Sequence, residues 1–316
     1  MSNAIELCGV SKSFGDTLAV SNLDLQIPHG SLCGFLGPNG AGKSTTIRMI
    51  MSIIYGNSGT VRVFGTTALA AKDRIGYLPE ERGVYRKMKV GAFIEYIARL
   101  KGMRGSMLRK KVKDWLEKIE LPDIHNKRCE ELSKGMQQKV QFLAAIIHDP
   151  ELIILDEPFT GLDPVNAKVI GKIIDELHQD GRTILFSTHV LPQAEQICDR
   201  IVMIDRGLKV LDGSISDIKR QFDPRVIQVE PVDPTKDFSN LDGIASVDEM
   251  DRDGCVNLRL EDDADATDIL RKITEQTPVR GIQIVRPTLD EIFIEQVARN
   301  RGTEAASAAR EELTHA

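Results

Sequence analysis

One short stretch, Gly37-Pro38-Asn39-Gly40-Ala41-Gly42-Lys43-Ser44-Thr45, limits what this chain can be more than any other. It fits the spacing G-x-x-x-x-G-K-[ST]. A short apolar run, Ser31 to Leu36, precedes it, and a segment with Ile47, Ile50 and Ile54 at helical intervals comes after it. The expected order is strand, glycine turn, helix over Ser44 to Ile54. Glycines let a backbone curl until successive N–H groups point inward, and a helix N-terminus adds a field that favours anions. Residues 37–45 therefore form a candidate phosphate cradle. Lys43 would reach the terminal phosphates, and the Ser44 hydroxyl would ligate Mg²⁺.

The remaining composition excludes several classes. With 316 residues, 41% hydrophobic and 28% charged, the chain suits about two soluble globular domains. No apolar run nears the roughly 18 to 20 residues that a membrane-spanning helix needs; Val140 to Ile147 is broken by Gln141. Residues Met1 to Val10 include Glu6 and lack a basic stretch leading into an apolar one, so a cytoplasmic chain without a secretory leader is expected. Five cysteines (Cys8, Cys33, Cys129, Cys198, Cys255) show no C-x-x-C spacing and read as buried free thiols.

Charge divides the chain. Residues 1–222 hold 30 Lys and Arg against 26 Asp and Glu, a net of +4, whereas residues 223–316 hold 11 against 21, a net of −10. An acidic C-terminal third argues against nucleic acid as a partner. The texture changes at the same place. Before it, strand-like segments (Ile5 to Val10, Leu23 to Ile27, Glu151 to Leu155, Thr183 to Ser187) interleave with helical ones (Phe93 to Leu100, Met107 to Ile119), as in an α/β sheet. After it, strands at Val226 to Val229, Val256 to Leu260 and Ile282 to Val285 accompany a helix over Ala264 to Glu275. A last helix opens with the capping box Thr288 to Glu291, and residues 301–316 read as a disordered tail. The expected domains are 1–222, with a helical subdomain at about 86–148, and a small α+β unit at 223–300.

A second constellation matches the phosphate loop. The apolar strand ending in Asp156-Glu157 offers one carboxylate to hold Mg²⁺ and another to polarise an attacking water. Gly161-Leu162-Asp163-Pro164 comes next, and Ser187-Thr188-His189 closes the next strand, facing the ligand crevice of such a sheet. Between the two lies Leu132-Ser133-Lys134-Gly135-Met136-Gln137, where Ser133 would cap a helix running to about His148.

Taken in order and spacing, these motifs over residues 4–220 resemble the ATP-binding subunit of an ABC transporter. The resemblance implies a P-loop NTPase fold with a helical subdomain, ATP and Mg²⁺ as ligands, and ATP hydrolysis with Lys43, Glu157 and His189 in catalytic roles. It implies phosphate or nucleotide contacts from Gly37, Pro38, Asn39, Gly40, Ala41, Gly42, Lys43, Ser44, Thr45 and Asp163. Ser133 and Gly135 would contact ATP held by an opposite subunit, so a homodimer or heterodimer around two ATP is implied. Phe14 matches the family's adenine-stacking position, although a core phenylalanine is the alternative. Ser44, Asp156 and Glu80 would handle the metal, with Glu80 standing where the family usually has glutamine; Lys134 and Met136 also depart from its usual residues. The run Glu80-Glu81-Arg82-Gly83-Val84-Tyr85 and the end Pro287 to Phe293 are similar to the branch serving drug and sodium exporters.

The implied partner is a separate transmembrane permease subunit, with this chain cytoplasmic and peripheral on the cytoplasmic face of the membrane. Val84, Tyr85, Val90 and Phe93 beside Arg86, Lys87, Lys89, Arg109 and Lys110 would form the groove receiving it. Apolar faces around Ile292 and Phe293 would brace a pair of chains. The alternative is a soluble ABC-type ATPase acting on a ribosome or DNA assembly.

Overall fold

Strands that are apolar throughout set the centre of the first unit, because a strand buried on both faces has no reason to alternate. The computed structural model describes residues 2–302 and Ala306, apart from Arg82, 223–225, Glu249, 252–253 and Asp262. The expected tail lies almost wholly outside the described residues.

Two long antiparallel strands, β1 (Asn3–Phe14) and β2 (Thr17–Pro28), lead into β3 (Leu32–Leu36), the glycine turn and α1 (Lys43–Ile50). Next come β4 (Ser58–Val63), β5 (Ile75–Leu78), α2 (Val90–Leu100), α3 (Leu108–Lys118) and α4 (Lys134–Ile146). Strands and helices then alternate through β6 (Leu152–Asp156), α5 (Pro164–Gln179), β7 (Thr183–Thr188), α6 (Leu191–Ile197) and β8 (Arg200–Asp205), and β9 (Leu208–Ser214) returns antiparallel on β8. The main sheet runs β5-β6-β7-β3-β8-β9, parallel except at β9. β3, β6 and β7 are buried at every position.

A second sheet, β2-β1-β4, is half-buried, and β2 alternates accordingly. Its inner residues Leu7, Leu23, Leu25 and Ile27 share a core with Phe35, Ile47, Ile154, Leu185 and Val202. At about 1.5 to 3 kcal/mol per fully buried aliphatic side chain, this layer holds the glycine turn between two sheets. α1 stops at Ile50, short of Ile54, because the backbone turns left-handed at Ser52 (φ 56). α4 ends at Ile146 rather than His148.

The chain divides into two compact units between Ile215 and Ser216, ahead of the charge break at residue 223. The division falls after the first residue of α7 (Ile215–Gln221), whose remainder opens the second unit. It continues through β10 (Val226–Pro231), β11 (Ile244–Val247), β12 (Val256–Leu260), α8 (Ala266–Gln276), β13 (Val279–Val285) and α9 (Leu289–Arg301). Its strands make one antiparallel sheet, β11-β12-β10-β13. Ile227, Val229, Val256 and Leu258 pack there with Ile269 and Ile273 of α8. The capping box forms: Thr288 Oγ1 accepts from the Glu291 N–H, and the Glu291 carboxylate accepts from the Thr288 N–H at 2.9 Å.

Two expectations are corrected here. Ile292 and Phe293 of α9 are buried, at 0% and 1% exposure, so they offer no apolar surface to another chain. Of the five thiols, Cys33, Cys129 and Cys198 are buried, but Cys8 is exposed and Cys255 is intermediate. Cys8 lies on the outward face of β1, where alternation turns every second side chain to solvent.

Candidate active site

Strand order and register bring the motifs together. β3 lies between β7 and β8, with Leu36 opposite Thr188, and β6 lies beside β7, with Asp156 opposite Ser187. The C-terminal ends of β6, β7 and β3 are therefore level. Glu157, His189 and the glycine turn, each leaving the end of one of these strands, share one crevice.

The turn needs its glycines for space. A Cβ at Gly37 (φ +148) would sit 2.2 Å from the Ile204 carbonyl oxygen, and one at Gly42 (φ +103) would sit 2.5 Å from that of Ala19. Gly42 is also the N-cap of α1 and supplies no side-chain cap, so the first N–H groups of that helix face the concavity of the turn. Asn39 and Gly40 form its exposed rim, whereas Gly37, Pro38, Ala41 and Gly42 are buried; Ser44 and Thr45 are intermediate.

Lys43 is only 6% exposed. Its Nζ donates to the carbonyl oxygens of Gly37 (2.7 Å) and Pro38 (3.1 Å), folding the ammonium back over the turn. Burial holds its pKa below the ordinary lysine value, opposed by the carboxylates of Glu157, Asp156 and Glu80. Ser44 Oγ lies 3.5 Å from Asp156 Oδ1 and 3.4 Å from Glu80 Oε2. Asp156 is buried, and burial raises its carboxyl above the usual range, while hydrogen bonds from Ser187 and Ser44 pull it down and Glu80 pushes it up.

Glu157 is also buried, with a left-handed backbone (φ 51). Its N–H donates towards Ser187 Oγ and O, each at 3.2 Å, and its Oε1 stands 2.8 Å from His189 Nδ1. Ser187 thus holds both acids, through its hydroxyl to Asp156 and through Glu157 N–H. Sequence reasoning assigns it no role; its place at the end of the strand beside Asp156 is the available signal. Tyr77 borders the same acids, its phenol pushed up to about 12 by burial and then by Asp156.

Phe14 is 52% exposed at the β1–β2 turn, which removes the alternative of a core phenylalanine. Lys12 Nζ lies 5.1 Å from its ring centroid. Further along the same hairpin, Ala19 touches the glycine turn at Gly42.

Ser133, Gly135 and Asp163 form a separate cluster. Exposed Ser133 caps α4, its Oγ accepting from Met136 N–H at 3.2 Å, and an added Cβ at Gly135 would lie 3.7 Å from the Gly161 carbonyl oxygen. Asp163 caps α5, accepting from Asn166 N–H (2.9 Å) and Nδ2 (2.6 Å), and these bonds hold its carboxyl below the usual range. Among the described residues, no hydrogen bond or ion pair joins this cluster to Lys43 or Ser44.

The oxygens of Ser44, Asp156 and Glu80 are the hard donors a small divalent cation takes, and the glycine turn with Lys43 suits a polyphosphate. Residues 20–160 match the ABC transporter family, and residues 213–297 match the family of the ATP-binding protein DrrA1-3-like, C-terminal domain. The chain is 40% identical over 289 residues to "Uncharacterized ABC transporter ATP-binding protein YhaQ" of Bacillus subtilis, covering 91% of this chain and 96% of that one. It is 30% identical to the daunorubicin/doxorubicin resistance ATP-binding protein DrrA of Streptomyces peucetius, covering 96% of each. A solved structure, "Structure of ATP binding subunit of ABC transporter", superposes with a TM-score of 0.65 at 28% identity, covering 69% of this chain and 93% of that one. Through these relatives, with its glycine turn and two acids at the end of β6, the chain belongs to the ATP-binding proteins of ABC transporters and is an ATPase.

Proposed function

We propose that this chain is the energy-coupling subunit of an export-type ABC transporter, pairing with a second ATPase subunit around two Mg-ATP and driving a separate transmembrane permease. The observation that carries the reading is the Glu157–His189 pair, 2.8 Å apart at the crevice that holds Lys43 and Ser44. The Glu157 carboxylate accepts a proton from an attacking water, and His189 fixes the carboxylate's direction. Lys43 and the N–H groups opening α1 hold the phosphates of ATP. Ser44, Asp156 and Glu80 would hold Mg²⁺, which would supply positive charge against the phosphate oxygens. Phe14 offers an exposed ring on which adenine stacks.

Ser133 and Gly135 stand apart from the chain's own phosphate turn, which supports their serving ATP bound to another subunit, identical or related. The drug-resistance relative supports export. The relatives named as ATP-binding proteins of transporters support a permease made by another chain and a peripheral place for this one on the cytoplasmic face; no described helix is long and apolar enough to cross a membrane. A cavity of about 300 Å³ between β5, α2 and α4 suits a permease segment. Phe93 and Ile97 give it apolar walls, and its buried Gln141 Oε1 and His148 Nδ1 have no hydrogen-bond partner among the described residues, so a segment bringing donors would complete them. Tyr85, Arg86 and Lys87 are exposed nearby in sequence, whereas Val90 is core.

Glu157→Gln tests the mechanism. The variant is expected to bind nucleotide as the parent does, to release phosphate at least about 100-fold more slowly, and to shift from monomer to dimer with ATP in light scattering. Parental turnover would remove Glu157 from the chemistry.

A further inference from the structure

A non-glycine residue keeps a left-handed backbone, as Glu157 does (φ 51), only where its surroundings over-determine it. On the entering side Ser187 does this by taking the Glu157 N–H. On the leaving side stands Pro158, which has no N–H to give, so the turn is secured through carbonyls. The Glu157 carbonyl accepts from the Thr160 N–H at 3.2 Å, and the buried Pro158 carbonyl accepts from Gln138 Nε2, also at 3.2 Å. Among the described residues this is the only side-chain hydrogen bond that reaches residues 158–162. Gln138 is 3% exposed, so the bond is shielded from solvent. Its helix is a firm support: Gln137 Nε2 donates to the carbonyls of Cys129 (3.2 Å) and Leu132 (3.0 Å), and Ser133 caps the first turn. A Cβ added at Gly135 would lie 3.6 Å from Leu162 Cδ2, which puts the start of α4 directly against the far end of the same turn.

We infer that Gln138 is a positioning residue for ATP hydrolysis: by holding the Pro158 carbonyl it fixes the backbone that aims the Glu157 carboxylate. The inference rests on Glu157 being the acid that activates water. His189 constrains that acid at the tip of its side chain and Gln138 constrains it through the main chain, so the two act at opposite ends of one residue. Among the described residues Gln138 makes no hydrogen bond to the glycine turn or to Lys43. Its loss therefore falls on the chemical step and spares nucleotide binding.

The test is a double-mutant cycle on the full chain, with Gln138→Met and Glu157→Gln made singly and together. Methionine matches glutamine in length and has no donor; Gln138→Glu, of the same shape, replaces it if melting curves show that the methionine variant has not folded. In the parent background Gln138→Met is expected to lower kcat about tenfold with KM for ATP and nucleotide affinity within twofold. In the Glu157→Gln background it is expected to change the residual turnover less than twofold, because the acid it aims is gone. ATP-driven association of the double variant, read by light scattering, should equal that of Glu157→Gln alone. Parental kcat in a folded Gln138→Met overturns the inference, as does a tenfold loss that persists without the acid. Lost association overturns it too, by assigning Gln138 to the support of Ser133. If Glu157→Gln itself turns over like the parent, the acid's role fails first and the inference falls with it, a result that the Glu157→Gln arm shows by itself.

Discussion

His189 Nδ1 and Glu157 Oε1 stand 2.8 Å apart although 32 residues separate them, because β6 and β7 are neighbouring parallel strands. His189 touches the acid rather than the phosphate turn, so in the proposed mechanism it would act by aiming Glu157. His189→Ala is expected to lower kcat by about 10- to 100-fold with little change in KM, in line with lost orientation. His189→Gln, which keeps a donor, should recover part of that loss. Steady-state phosphate release at varied ATP separates the two parameters; a change in KM alone would place His189 in substrate binding.

Ser133 caps α4 and, in the proposed pair, meets ATP of the other subunit. Ser133→Ala should cost about 1 kcal/mol of stability and abolish ATP-driven association while leaving nucleotide binding by the single chain. Ser133→Asp separates the roles: a carboxylate caps as well, so the melting temperature should recover, but its charge opposes a phosphate and association should not. Recovery of both by Ser133→Asp would leave Ser133 as a cap only.

His148 donates from Nε2 to the Ile75 carbonyl at 3.1 Å, and its buried Nδ1 has no partner among the described residues. Burial, and then the charge of Lys101, lowers its pKa to about 4. The folded chain therefore keeps this imidazole neutral. Below the unfolded value of about 6.5 the unfolded chain binds the proton more readily, so stability present at pH 7 is lost as pH falls towards 4. The loss at pH 5 should be about 1 kcal/mol after discounting for partial exposure. His148→Gln should narrow the difference in melting temperature between pH 7 and pH 5; an unchanged difference would assign the acid sensitivity elsewhere.

Phe293 is 1% exposed at the centre of α9. Phe293→Ala should remove about 3 to 5 kcal/mol from the second unit. Calorimetry should show one transition moved down in temperature while nucleotide affinity stays within twofold. Equal loss of nucleotide binding would mean that the site depends on the second unit.

Much of the first unit was legible wherever local chemistry and final environment agree. β3, Leu152 to Leu155 of β6 and Ile184 to Phe186 of β7 are continuous apolar runs because both of their faces are covered, and Ser133 and Thr288 are caps in the sequence as in the fold. β5 was hidden by Gly76, which reads as a turn. Its hydrogen is required because a Cβ there would meet the Ala145 carbonyl oxygen at 2.2 Å, a fact of helix–strand packing and not of local preference. β4 is mostly exposed and has too short an apolar alternation to be noticed. α5 carries readable signals in Asp163, Pro164 and the spacing of Ile170, Ile173 and Ile174. The residue types of the site were legible; their convergence was not, since it depends on strand order, which puts β7 between β6 and β3.

Glu157 occupies a backbone conformation (φ 51) in which glycine rests at ease and a side chain costs about 1 kcal/mol. Variants gathered for heat resistance alone should accumulate glycine at this position, and each should be a more durable protein with an idle site. Thermal endurance and turnover pull this codon in opposite directions, so a stabilised form of the chain has to find its gain elsewhere.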